Sequence, residues 1–259
     1  MFKGLYTAYT GLKNEQNRMD VMTNNLANAT TVGFKKEGTT SQSFDSVLAY
    51  KLKDASVGLS RAQYLGVNNP GVKIGENYTD YSEGSFRVTG NTFDLALTEE
   101  GFFAIEFKNR AGETSTKYTR AGNFTLNEDG FLVTNDGDYL LDVNNRRIRL
   151  DPLHGVDITT DGVISQNGNR VAQIQVVDFE NYDYLQRYGE TYFQPIEGAE
   201  LTNSSAGIRS GCLEMANVQV VSEMVNLIAI TRQYESNQKI IQTYDRTMDV
   251  AVNNLGQVR

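Results

Sequence analysis

Residues 212–255 read CLEMANVQVVSEMVNLIAITRQYESNQKIIQTYDRTMDVAVNNL, and the spacing of apolar side chains within them decides the architecture. Every seventh residue is apolar or aromatic: Leu213, Val220, Leu227, Tyr234, Ile241, Met248 and Leu255. A period of seven lays one narrow stripe along an α-helix, the pattern of a coiled-coil seam. Gly211 is the last glycine before Gly256, and no proline follows Pro195. The spacing therefore predicts one helix over 212–255, roughly 65 Å long at the helical rise. Val221, Val225 and Ile228 add a second stripe beside the seam. One partner helix cannot cover both stripes, so more than two helices are expected around this one.

The same rhythm opens the chain, at Leu5, Leu12, Met19 and Leu26. A helix is predicted over about 3–28, weakened near its start by Gly4 and Gly11. Asn24, Asn25 and Asn28 signal its end, and Gly33 marks a break. If the two terminal helices pair within one chain, they run antiparallel. Glu15, Gln238 and Asp245 interrupt the seam; such residues weaken a coiled coil but fix its register. Residues 37–72 are mixed in composition, with a short helix expected over Ser46–Lys53 and looser structure around it.

From about 73 to 211 the rhythm changes to short β-like runs. Phe93, Leu95 and Leu97 alternate with Asp94 and Ala96, and Phe102–Phe107 reads as a mostly buried strand. Phe124 and Leu126 lead through Asp129-Gly130 into Phe131, Leu132 and Val133, a hairpin signal. Asp136-Gly137, Asp161-Gly162 and Asn167-Gly168 mark further turns, and Ile174, Val176 and Val177 continue the pattern. The fold class is α+β: long N- and C-terminal helices of coiled-coil type flanking an all-β middle domain. The divisions are 1–36, 37–72, 73–211 and 212–259.

At 259 residues with a net charge of −8, the chain can bury a real core but has no general attraction for nucleic acid or an anionic membrane. No stretch approaches the roughly 20 apolar residues of a membrane span. Met1-Phe2-Lys3-Gly4-Leu5-Tyr6 lacks the apolar run of a secretory signal. The reading is a chain made in the cytoplasm that leaves, if at all, without signal cleavage. The single cysteine, Cys212, excludes an internal disulfide and any multi-cysteine metal site.

Catalytic signals are weak. His154, the one histidine, follows the turn Asp151-Pro152-Leu153 and reads as a solvated loop residue. Cys212 has no nearby histidine and reads as a buried or incidental thiol. Glu99-Glu100, Glu128-Asp129 and Asp136/Asp138 resemble glycosidase carboxylate pairs, but 32 acidic residues supply such pairs by chance, and turn chemistry accounts for those beside glycine. The Asn/Asp/Gly clusters lack the full spacing of a calcium loop. Arg146, Arg147 and Arg149 read as a solvated strand edge, and the 14 tyrosines, without tryptophan, as core and interface residues. No enzyme, cofactor or metal is expected.

Asn24-Asn25-Leu26-Ala27-Asn28-Ala29-Thr30-Thr31-Val32-Gly33-Phe34-Lys35 closely resembles the N-terminal signature of bacterial flagellar rod and hook proteins. Tyr118-Thr119-Arg120-Ala121-Gly122-Asn123-Phe124, after Gly101-Phe102-Phe103, resembles the rod proteins' middle-domain motif. Glu223–Ile228, then Arg232, Tyr234, Glu235, Asn237 and Lys239, resembles their C-terminal helix. Ala216-Asn217-Val218-Gln219 departs from the family's usual Ser-Asn-Val-Asn. The length and single middle domain are similar to the proximal or distal rod proteins, and the hook protein is usually longer.

The resemblance implies a structural subunit of the flagellar basal body, exported through the flagellar type III apparatus and stacked in a helical homopolymer with other rod and hook proteins. The implied inner tube is made by the terminal helices, and the stripe residues named above are the expected assembly interface. Mobile termini are expected before assembly. A second reading, from a different class, is a cell-wall protein that binds or hydrolyses peptidoglycan through the β domain. Others are a hook-type axial component, and a secreted adhesin or regulator on the same fold.

Overall fold

The computed structural model describes residues 2–51, 63–109, 112–204 and 206–255. The chain is α+β and divides into two units. One comprises 1–26, 37–79 and 220–259, and the other 27–36 and 80–219.

The first unit holds two helices and a strand ribbon. Helix α1 spans Phe2–Ala27, and helix α2 spans Val220–Val250, followed by a π-helical turn at Ala251–Leu255. The predicted start of the last helix was wrong. Cys212–Glu214 is a strand paired with Phe86–Val88 in the β unit, so Leu213 is buried there and does not belong to the helical seam. The lack of glycine and proline permitted a helix over 212–219. Burial of Cys212, Leu213 and Glu214, with the strand ladder to 86–88, outweighs that local permission. Helix α2 is roughly 46 Å long at the helical rise.

The described residues within 37–51 and 63–79 form antiparallel ribbon pairs. Strand β1 (Glu37–Ser43) pairs with β4 (Val72–Thr79), and β2 (Val47–Lys51) pairs with β3 (Gln63–Asn68). The short helix expected over Ser46–Lys53 is thus a strand as far as Lys51; positions 52–53 lie outside the described residues. Val47 and Tyr50 favour the pleated geometry, and cross-strand bonding settles it. Residues 73–79, expected to begin the β domain, belong to this ribbon as part of Val72–Thr79.

Polar residues on one face of α1 hold the ribbon. The Asn25 side chain donates to the Glu37 carbonyl (2.7 Å) and accepts from the Glu37 N–H (2.9 Å), imitating a strand neighbour. Ser41 Oγ donates to Asn14 Oδ1 at 3.1 Å, and Asn17 Nδ2 to Thr39 Oγ1 at 3.4 Å.

In the other unit, the strand Phe102–Lys108 is central. It pairs with Thr114–Thr119 on one edge, and with both Tyr139–Leu140 and Val176–Phe179 on the other. Phe103 and Ile105 point into a cluster with Leu95, Phe124, Leu140 and Ile164. Phe102 and Ala104 point into a second cluster with Tyr118, Phe179 and Phe193. Burial on both faces explains the nearly continuous apolar run. At 93–97 the alternation holds: Leu95 and Leu97 enter the first cluster with Phe93 packed against it, while Ala96 is buried apart from that cluster. The hairpin at Asp129-Gly130 forms, with Leu126 opposite Leu132. At 167–168 both residues take positive φ, 51° and 76°, as a two-residue primed turn requires.

Candidate assembly faces and a buried ionic junction

On α2 the seam residues Leu227, Tyr234, Ile241 and Met248 are half-covered, whereas the second stripe is open. Val221 is 76 % exposed, Val225 60 % and Ile228 54 %, with Met224 beside them at 48 %. Val220, at the first turn, is also exposed, and Leu255 lies in the π-helical turn. On α1, Leu5, Leu12, Met19 and Leu26 are half-covered. Gly4 and Gly11, expected as weak points, are sites of close approach. A methyl group on Gly4 would lie 2.2 Å from Tyr244 Oη, and one on Gly11 3.2 Å from Asn237 Nδ2. Seven residues up one helix match seven down the other, so α1 and α2 are antiparallel neighbours. Of the polar interruptions, Glu15 pairs with Arg18 at 3.0 Å, and Asp245 lines a groove beside Ile241.

The β unit contains a buried ionic junction. Glu214 Oε1 lies 2.8 Å from Lys35 Nζ, and Glu214 Oε2 lies 2.5 Å from Arg120 Nε. The three side chains are 1 %, 2 % and 3 % exposed. Lys35 also donates to the Ser82 carbonyl (2.8 Å), Arg120 Nη1 to the Gly101 carbonyl (2.6 Å), and the Gly84 N–H to Glu214 Oε1 (3.0 Å). Such additional bonds are what make a buried ion pair tolerable. Burial alone would raise the Glu214 carboxyl, but Lys35, Arg120 and the Gly84 N–H outweigh it and hold it below its ordinary value. Burial pushes the Lys35 ammonium below its ordinary value, against the attraction of Glu214.

Backbone contacts tighten the same place. The Gly33 N–H donates to the Glu214 carbonyl (2.8 Å), and Val32 bridges to Met215. Asn217 Oδ1 accepts from the Lys36 N–H (2.7 Å), while its Nδ2 donates to the Asp80 and Ser82 carbonyls. Gly33 has φ +67°, and a methyl there would lie 2.3 Å from the Ala121 nitrogen. Phe34 is fully buried, with the Arg187 guanidinium 4.4 Å from its ring centre. Thr31 Oγ1 donates to Asn28 Oδ1 at 3.1 Å. The signature therefore divides its work. Asn25 pins the ribbon; Asn28, Thr31, Gly33, Phe34 and Lys35 lock the chain into the β unit; Asn24 and Ala27 lie on the exposed side of α1. Sequence reasoning missed Glu214 altogether, because the heptad reading had assigned it to a helix.

The residues weighed for chemistry have other settings. His154 Nδ1 lies 2.8 Å from Asp151 Oδ2 at the surface. Cys212 is buried. Tyr192 Oη donates to Asp136 Oδ2 at 3.0 Å and sits 3.3 Å from Thr134 Oγ1; burial pushes its hydroxyl pKa well up. Burial likewise raises the Asp138 carboxyl. Arg147 binds both oxygens of Glu106, at 2.8 and 2.7 Å, and stacks 4.2 Å from the Tyr139 ring. Among the described residues there is no cluster fit to hold a metal ion, and no helix is long and apolar enough to cross a membrane.

Residues 5–35 match the family described as flagella basal body rod protein, 96–169 the flagellar hook protein FlgE/F/G D1 domain, and 209–255 the flagellar basal body rod FlgEFG protein C-terminal region. Each member of the ionic junction falls in a different matched segment. The chain is similar to the flagellar basal-body rod protein FlgG of Bacillus subtilis, with 33 % identity covering 98 % of this chain and 99 % of that protein. It is similar to the flagellar basal-body rod protein FlgF of Mesorhizobium japonicum, with 32 % identity over 99 % of each. A third relative is the flagellar hook-basal body complex protein FlhO of Bacillus subtilis, 29 % identical over the whole of both chains. On these matches, spanning both helical ends and the β unit between them, the chain belongs to the flagellar basal-body rod protein family.

Proposed function

We propose that this chain is a structural, non-enzymatic subunit of the flagellar basal-body rod, polymerising with copies of itself and abutting other rod and hook components. The observation that carries this is the open apolar stripe Val221, Val225 and Ile228 on a helix whose seam is already half-covered. A soluble monomer gains nothing from exposing it, whereas a packed array of helices buries it. The assembly surface comprises that stripe with Val220, Leu227, Tyr234, Ile241, Met248 and Leu255 of the C-terminal helix, and Leu5, Leu12, Met19 and Leu26 of α1. In this reading the helices form the axial core of the shaft. Many repeated helix contacts resist twisting, which is the mechanical task. Export through the flagellar type III apparatus delivers the subunit.

Val225→Asp tests the reading. The site is exposed, so the isolated chain keeps its fold, but in an array an unpaired carboxylate would be buried at a penalty of several kcal/mol. Cells carrying the variant should fail to swim while the purified protein unfolds at the wild-type temperature. Normal swimming would count against the proposed surface.

A further inference from the structure

A groove between α1 and α2 and a ridge on α2 match each other. The groove, about 540 Å³, lies against Leu5, Tyr6, Tyr9 and Ile241, and Asp245 supplies the charge on its wall. The ridge is the exposed stripe Val221, Val225 and Ile228, and one turn beyond Ile228 stands the exposed Arg232. Both surfaces repeat one pattern: an isoleucine, then a charged residue four positions later on the same face. The charges are opposite. Thirteen residues separate Ile228 from Ile241, and thirteen separate Arg232 from Asp245.

The shared interval has a geometric consequence. Thirteen residues advance a helix by about 20 Å and turn it to about 140° from its starting direction. Ridge and groove therefore face nearly opposite sides of α2 and lie about 20 Å apart along it. They cannot meet within one copy. Two parallel α2 helices lying side by side and shifted by that interval bring them together.

We propose that the groove beside Ile241 receives the Ile228 ridge of a second copy of this chain, with the two α2 helices parallel and offset by thirteen residues, so that Arg232 of one copy faces Asp245 of the next. The proposal rests on the rod-subunit reading and names which surfaces meet. Each copy presents both halves of the contact, so it repeats from copy to copy without pairing off, as an open helical polymer requires. Apolar burial holds the contact, and the charge pair fixes its register.

Two experiments on the full-length chain in flagellated cells test it. Ile228→Cys with Ile241→Cys should give a ladder of disulfide-linked multimers in purified basal bodies after mild oxidation, absent from either single variant; Cys212 is buried in the β unit. Arg232→Asp and Asp245→Arg should each reduce swimming, and the two together should restore it. Basal bodies that contain the chain but yield no ladder, or a double charge variant no better than the single ones, would overturn the register and leave the rod reading intact. A crosslink to a different protein would overturn the choice of a second copy as occupant. Absence of the chain from basal bodies would remove the rod reading, and this proposal with it.

Discussion

Replacing Glu214 with Gln removes the one carboxylate that Lys35 and Arg120 share, while nearly preserving volume. The amide oxygen can still accept from Gly84 or Lys35, but the amide NH2 then faces the Arg120 Nε–H, donor against donor. Lys35 keeps the Ser82 carbonyl and Arg120 keeps the Gly101 carbonyl, so both cations stay buried without the carboxylate they bind. Breaking a buried ion pair in this way costs about 3–5 kcal/mol, a large share of the roughly 5–15 kcal/mol that stabilises a domain. For a unit of this size the melting temperature should fall by roughly 6–20 °C. Urea unfolding followed by tyrosine fluorescence gives the same quantity as a shift in midpoint. The gap also depends on pH. Because the folded-state pKa of Glu214 is depressed, its contribution is complete above the ordinary carboxylate value of about 4.3 and is lost as pH falls through the folded-state pKa. Wild type and variant should therefore converge in acid. A loss below about 1 kcal/mol at neutral pH, or a gap unchanged in acid, would mean that Glu214 does not hold the two buried cations in place.

Gly33→Ala should destabilise the β unit by more than about 2 kcal/mol, since the left-handed conformation adds its own penalty to a clash with the Ala121 backbone. Gly137→Ala, also at positive φ but facing open space, should lose only about 1 kcal/mol in the same urea titration. Gly4→Val should displace Tyr244, lowering hydrogen-exchange protection in α1 and reducing swimming while the β unit melts unchanged; Tyr244→Ala alongside it should recover protection. Tyr192→Phe should cost about 1–2 kcal/mol by leaving the Asp136 and Thr134 oxygens without the Tyr192 hydroxyl, read as a lower urea midpoint.

The terminal helices and the β character of the middle were legible because they rest on local periodicity and turn chemistry. Leu227, Tyr234, Ile241 and Met248 repeat along one helix, and Asp129-Gly130 announces its own hairpin. What sequence reading missed depends on distant partners. Glu214 fits a helix as well as a strand, and its strand at Cys212–Glu214 exists because Phe86–Val88 lies alongside. The ribbon strand Val47–Lys51 likewise needed Gln63–Asn68 to declare it. Gly4 and Gly11 looked like defects in a helix taken alone, and became close-approach sites once Tyr244 and Asn237 were beside them. The ionic junction was the least accessible feature. Its three charges sit 85 and 94 residues apart in sequence, and nothing local to any of them marks it as buried.

Whether the chain is built into the flagellar rod is read by purifying intact hook–basal bodies and labelling them with an antibody against this protein. A rod subunit gives label confined to the rod. Clean particles without label, from cells that contain the protein elsewhere, would contradict that placement.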